Sequence, residues 1–242
     1  MKITWKVALI AVALALFSAS NAFADTTFTL TGVQGNYLGG VYTSPYYATI
    51  GTTANIPVIC DDFASESYVN ETWQTIVTNA SQLTSSSPVR WATSNLIAGS
   101  EAASLGEFSA YAVAADLATE IMNATPGSAY AQELSYALWG LFDPNAFSST
   151  YLNSTQAGIA MGYMMDAVNS NPTLSQYSNV TIYSYDPAYG TSCAAGTTCP
   201  PPPQEFLVVN TPEPSTILML ALGLGGLLML WRRRKNAEVL AA

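Results

Sequence analysis

Ser104-Leu105-Gly106-Glu107-Phe108-Ser109-Ala110-Tyr111-Ala112, continued by Ala115, Ala118 and Met122, is where the chain changes its period. Apolar residues at Leu105, Phe108, Ala112, Ala115, Ala118 and Met122 recur at helical spacing, and Ser104-x-x-Glu107 predicts a capping box at the start. Upstream the period is two. Phe28 and Leu30 alternate with Thr27, Thr29 and Thr31, and Gly32, Gly35-Asn36, Gly39-Gly40 and Pro45 punctuate the run as turn residues. Further strands are predicted at Tyr37–Thr43, Tyr47–Gly51, Ile56–Cys60 and Thr72–Thr78. Downstream, a second helix is predicted over Ala129–Phe142, with Ala131, Leu134, Leu138 and Phe142 on one face and Asp143-Pro144 as its stop. A third spans Ser154–Ser170, where Met161, Met164, Met165 and Val168 form the expected inward stripe, and strands return at Val180–Tyr185 and Glu205–Asn210. The expected class is α+β: an antiparallel sheet or small barrel covered by about three helices. Residues 25–185 form the expected domain, and residues 186–210 a Pro/Gly-rich loop, with prolines at 200–203, followed by the final strand.

Composition narrows the chemistry. Of 242 residues, half are hydrophobic, only 10% are charged, and none is histidine. Ser-His-Asp and Cys-His catalysis and all His-containing metal sites are therefore excluded. Between Asp25 and Thr211 stand fourteen carboxylates and a single cation, Arg90, a net charge of −13. A body so acidic does not bind nucleic acid.

The remaining cations sit in the two ends. Lys2 and Lys6 precede eleven apolar residues, Val7 to Phe17, and Ala22-Phe23-Ala24 supplies a small-x-small cleavage site. This is the pattern of a secretory signal peptide over residues 1–24, because eleven helical residues fall short of a hydrocarbon layer of about 30 Å. At the other end, Ile217 to Trp231 is uncharged and Arg232, Arg233, Arg234 and Lys235 follow it. With Ser215 and Thr216 the apolar stretch reaches the lower bound for a transmembrane helix over 215–231, and the four cations stop transfer on the cytoplasmic side.

The order Pro212-Glu213-Pro214-Ser215, Gly-containing hydrophobic helix, Arg cluster resembles the sorting signal of PEP-CTERM proteins, which occur in Gram-negative bacteria that make exopolysaccharide. The resemblance covers residues 211–235 and implies recognition by an exosortase, a membrane-embedded Cys protease-transferase. It further implies a precursor held in the inner membrane, then removal of the tail and delivery of the body to the cell surface or extracellular matrix. Glu213 would be read in an extended conformation, since a residue before proline is pushed out of the helical region. The tail beyond the cations, Asn236 to Ala242, is longer than in the tidiest form of the pattern.

Cysteines and carboxylates are what is left for chemistry. Cys193 and Cys199 bracket Ala-Ala-Gly-Thr-Thr, and in an oxidising compartment a local disulfide is the expected state, a staple contributing about 2–3 kcal/mol. Cys60 stands apart in Val58-Ile59-Cys60-Asp61-Asp62-Phe63. Together with Gly40-Val41-Tyr42-Thr43-Ser44-Pro45-Tyr46, Glu71-Thr72-Trp73 and Tyr136-Ala137-Leu138-Trp139, this segment resembles a recurrent body domain of PEP-CTERM proteins and, more distantly, the thioester domains of Gram-positive adhesins. In that pattern a Cys condenses with a Gln four residues before the Trp; here that position is Ser135, while Gln132 lies one turn earlier and Gln156 begins the third helix. Gln156 also fits the N3 position of a helix capped by Asn153, and Cys60 fits a small buried hydrophobe ending a strand. Asp61-Asp62 lacks the alternating oxygen ligands of a calcium loop, and Asp116, Glu120 and Glu133 read as a solvated helical face.

The expectation is an exported, non-enzymatic protein without cofactor or metal, sorted by an exosortase and playing a structural or interaction role with exopolysaccharide or a cell-surface glycan. The alternatives are a covalent adhesin using Cys60, and a polysaccharide-active hydrolase built on a carboxylate pair.

Overall fold

Alternation in Thr26–Val33 builds β1, whose Phe28 and Leu30 turn inward while the intervening threonines face out. The computed structural model describes residues 25–33, 36–189 and 202–210. After β1 come β2 (Tyr37–Leu38), β3 (Val41–Tyr42), β4 (Tyr46–Ile50), β5 (Thr53–Cys60) and β6 (Thr72–Asn79). A helical layer follows: α1 (Glu101–Leu105), α2 (Glu107–Asn123), α3 (Ala129–Phe142) and α4 (Ser154–Asn169). The chain ends in β7 (Val180–Tyr185) and β8 (Phe206–Val209). Six strands close into an antiparallel barrel in the order β1-β4-β5-β8-β7-β6, and β6 pairs back onto β1. Closure leaves no unpaired sheet edge in the barrel. The α+β expectation holds, in its barrel form.

β8 completes the barrel between β5 and β7, and both of its faces are covered. Phe206 and Val208 point into the barrel, where Phe206 stacks on Phe28 with ring centroids 5.0 Å apart and Phe28 meets Trp73 at 4.8 Å. Leu207 and Val209 point the other way, into a second core shared with Ile59, Ile182 and the helices. A strand buried on both faces needs an unbroken apolar run, and Phe206-Leu207-Val208-Val209 supplies it. Against this face lies α2, whose alanines at 110, 112, 114, 115 and 118 let it approach closely and are all buried. Trp91 stacks on Phe142 at 5.1 Å and 7° to seal the layer.

Four details differ from the sequence reading. The strand expected over Tyr37–Thr43 is a hairpin, because Gly39 and Gly40 take left-handed φ of 65° and 91° and reverse the chain between β2 and β3. The capping box expected at Ser104 is not formed. Ser100 caps α1 instead, accepting from Ala103 N at 3.1 Å, and Glu107 accepts from the Thr93 amide at 2.9 Å and its hydroxyl at 2.8 Å. Phe108, expected in the inward stripe of that helix, is exposed, since the α2 core face centres on Tyr111, Leu117 and Ile121. In α4 the inward residues are Ala160, Met164 and Ala167, whereas Met161 and Met165 face out at 40% and 39% exposure. α3, by contrast, stops at Phe142 with Asp143 as its cap, as expected. Among the described residues no helix is long and apolar enough to cross a membrane. The expected signal peptide and transmembrane helix lie outside the described residues, as do Cys193 and Cys199.

Candidate functional site

The ladder between β5 and β8 pairs Ile59 with Leu207 and Cys60 with Phe206, and one step further the Asp61 amide donates to the carbonyl of Glu205 at 3.4 Å. Side chains alternate across a strand, so Asp61 and Glu205 share the face turned to the helices. β7 adds Ser184 on the same face, one residue beyond the Tyr183–Phe206 pair. Asp61, Glu205 and Ser184 are each no more than 2% exposed.

Glu205 is surrounded by donors. Its Oε1 accepts from Tyr111 Oη at 2.5 Å; its Oε2 accepts from the Arg90 amide at 2.8 Å and from the Ser184 hydroxyl. Asp61, by contrast, has no donor from any other residue among those described for either carboxyl oxygen; its side-chain partner is Glu205 itself. Two carboxylates cannot hydrogen-bond to each other unless one carries a proton. Burial, then the charges of Glu205 and Asp62, push Asp61 well above the usual carboxylate range. Burial raises Glu205 as well, but hydrogen bonds from Ser184, Tyr111 and the Arg90 amide favour its charged form. Asp61 therefore holds the shared proton and donates it to Glu205.

The neighbouring Asp62 is fully buried and turns to different partners. Its Oδ1 accepts from the amides of Ala64 at 3.0 Å and Ser65 at 3.1 Å, and its Oδ2 meets Arg90 Nε at 3.1 Å. Burial raises its carboxyl and the Arg90 guanidinium pulls it back. The sole cation of the body is thus spent inside: it also donates to Ser65 Oγ at 3.1 Å and lies 5.3 Å from the centroid of the Trp91 ring. Above the cluster opens a cavity of about 550 Å³ walled by Arg90, Asn95, Ser184, Tyr185, Pro203 and Glu205. Among the described residues no group of three or more His, Cys, Asp or Glu can hold a metal ion.

Cys60 ends β5 as a buried free thiol on the barrel side. Its Sγ donates to the Asp62 carbonyl at 3.3 Å, its amide to Ser44 Oγ at 3.1 Å, and its carbonyl accepts from Trp139 Nε1 at 2.9 Å. Burial, then the charges of Asp62 and Asp61, push the thiol up, away from the nucleophilic thiolate. Ser135 lies one link away, accepting from the Ser44 amide at 3.2 Å while donating to the Ala131 carbonyl at 3.0 Å. The fold thus brings position 135 to the Cys60 network, with a serine where the resemblance calls for glutamine. Gln156 is engaged in the capping box of α4, exchanging bonds with Asn153 at 3.0 and 3.1 Å. Gln132 sits in the first turn of α3, half-buried. The glutamine that does approach is Gln204, whose Nε2 donates at 2.8 Å to the same Asp62 carbonyl that receives Cys60 Sγ.

Glu205 and Gln204 were missed in the sequence because nothing local marks them. Their significance comes from the pairing of β8 with β5, across some 140 residues of chain. Asp116 and Glu120 do face outward, but each is engaged by a tyrosine, Tyr177 at 2.7 Å and Tyr130 at 2.9 Å.

β8 delivers the chain to its final segment. A family model described as the PEP-CTERM protein-sorting motif matches residues 210–235. The chain carries a PEP-CTERM sorting motif. The match spans Pro212, Glu213, Pro214, Ser215 and the cations Arg232 to Lys235, and it leaves the folded body unmatched. Among curated proteins and solved structures, none matches the chain. A PEP-CTERM signal marks an exported precursor that an exosortase processes, so the barrel is the cargo and the C-terminal segment its address.

Proposed function

We propose that this PEP-CTERM protein is a non-enzymatic component of the cell surface or exopolysaccharide matrix, delivered by an exosortase and acting through its folded body. The observation that carries the delivery is the sorting motif at residues 210–235. The non-enzymatic part is supported by the engagement of Glu205, the carboxylate that reaches the cavity wall. Both oxygens of Glu205 are occupied by donors from β7, the helical layer and the Arg90 backbone, and Asp61 lies behind it at 0% exposure. A general acid or base must reach its substrate. This cluster instead ties β5, β7 and β8 to α2. Deleting Pro212 to Lys235 should turn a sorted protein into one that is freely secreted or periplasmic; fractionation showing an unchanged distribution would sink the sorting claim.

A second reading, covalent adhesion through Cys60, draws support from one contact: Cys60 Sγ and the Gln204 amide meet on the Asp62 carbonyl. Condensation would form the Cys60 thioester and release the Gln204 amide nitrogen as ammonia. The purified chain would then be lighter by one ammonia, and Cys60→Ala would abolish the deficit. Full mass with a titratable thiol disposes of it.

A further inference from the structure

The hairpin of β2 and β3 has two faces with different employment. Leu38 and Val41 point inward onto a cluster formed by Tyr136, Trp139, Leu152, Phe63 and Tyr151. The hairpin is held there firmly: Tyr136 Oη donates to the Leu38 carbonyl at 2.8 Å, and the Thr43 amide closes the base on the Asn36 carbonyl at 3.0 Å. Its turn is pressed so closely to the helical layer that a Cβ on Gly39 would fall 2.0 Å from the Tyr151 carbonyl oxygen. The outward face carries the cross-strand pair Tyr37 and Tyr42, 57% and 49% exposed, with ring centroids 5.5 Å apart at 71°. Two large aromatic rings are thus held on a rigid mount with about half of each facing solvent.

The surroundings say what chemistry such a face accepts. In a body of −13, residues 26–60 contain no charged side chain, and none of the eight strands contains one. The inward cluster beneath the hairpin is uncharged as well. A polyanionic ligand would be repelled by the body as a whole, and a cationic one would be drawn to the acidic helices and loops. An uncharged aromatic face suits a neutral ligand offering flat C–H faces. We propose that the Tyr37–Tyr42 face of the hairpin is a stacking platform for the pyranose rings of a neutral polysaccharide. This rests on the reading of the protein as a matrix component and names the partner class of that role.

The test is affinity electrophoresis of the full chain in detergent, through native gels containing hydroxyethylcellulose as the neutral probe or polygalacturonate as the acidic one. The neutral gel should retard the protein equally at low and high salt. Tyr37→Ala/Tyr42→Ala should weaken retardation about tenfold, as loss of an aromatic anchor does. Tyr37→Phe/Tyr42→Phe should retain it, and Tyr68→Ala, at an exposed tyrosine elsewhere, should leave it unchanged, with circular dichroism confirming the fold of each. Equal retardation of wild type and the double alanine variant overturns the platform while leaving glycan binding standing. Retardation only by polygalacturonate, fading with salt, overturns the neutral chemistry. No retardation in either gel overturns the platform, and fractionation of the tail-deleted chain then judges the sorting claim separately.

Discussion

Asp61 faces Glu205 across the β5–β8 ladder, carboxyl against carboxyl, one residue past the Cys60–Phe206 pair. Like charges placed opposite on a sheet repel, and here a single proton converts the repulsion into a hydrogen bond. This pair and three other contacts of the fold each have a measurable consequence.

The first is a pH dependence of unusual sign. The folded-state pKa of Asp61 is raised, so between its unfolded value near pH 4 and its folded value the native state binds more protons than the unfolded chain. Stability should therefore be greatest at mildly acidic pH and fall as pH rises through that window, by up to about 1.4 kcal/mol per unit for one proton. Asp62 and Glu205, also raised, act in the same direction. Asp61→Asn supplies a neutral donor in the same place. Urea unfolding across mildly acidic to mildly alkaline pH should show a flatter profile for the variant, and parallel profiles would count against the shared proton.

Tyr111→Phe removes the donor to Glu205 Oε1 and the acceptor of the Trp91 amide at 3.0 Å, leaving two buried groups without that partner. The cost should be about 2–3 kcal/mol. A thermal melt within a degree of wild type would show that the bond contributes little.

Removing the one cation of the body leaves Asp62 buried without a counter-ion, held only by the Ala64 and Ser65 amides. Because the Arg90 side chain is a third exposed, Arg90→Met should cost roughly 2–4 kcal/mol, discounted from the roughly 3–5 kcal/mol of a fully buried pair. The loss should shrink at acid pH, where Asp62 can take up a proton. A loss independent of pH would assign the effect to packing on Trp91 instead.

Glycine inside a helix ordinarily costs about 1 kcal/mol relative to alanine, so Gly140→Ala in α3 would be expected to stabilise. Here a Cβ would sit 2.0 Å from Cζ of Phe147. Overpacking of this kind costs about 1–3 kcal/mol and should win, giving a less stable protein. A higher midpoint in denaturant would show that the Phe147 ring moves aside freely.

The first barrel stave was legible because it carries its own period, Phe28 and Leu30 alternating with threonines, and outside the barrel the Gly39-Gly40 pair betrays a turn even where one strand was expected. α3 was legible to its last residue because Asp143-Pro144 ends it chemically. Helical faces were less so. Phe108, Met161 and Met165 are apolar yet exposed, since α2 and α4 pack through alanines, which mark a face only weakly. The carboxyl cluster lay beyond local reading altogether. Asp61 and Glu205 meet only once β8 enters between β5 and β7, a placement no short-range signal encodes.

That placement also sets an order of events. The stave that closes the barrel is the last folded piece of the body to be synthesised, and only Asn210 and Thr211 separate it from Pro212. Chain leaving a membrane pore from its N-terminus forward can assemble β1 through β7 and the helices, yet β5 and β7 must wait with a gap between them. At no more than about 3.6 Å per residue, the three peptide steps from Val209 to Pro212 span about 11 Å at most, so the last stave of the barrel and the sorting motif are nearly contiguous in the chain.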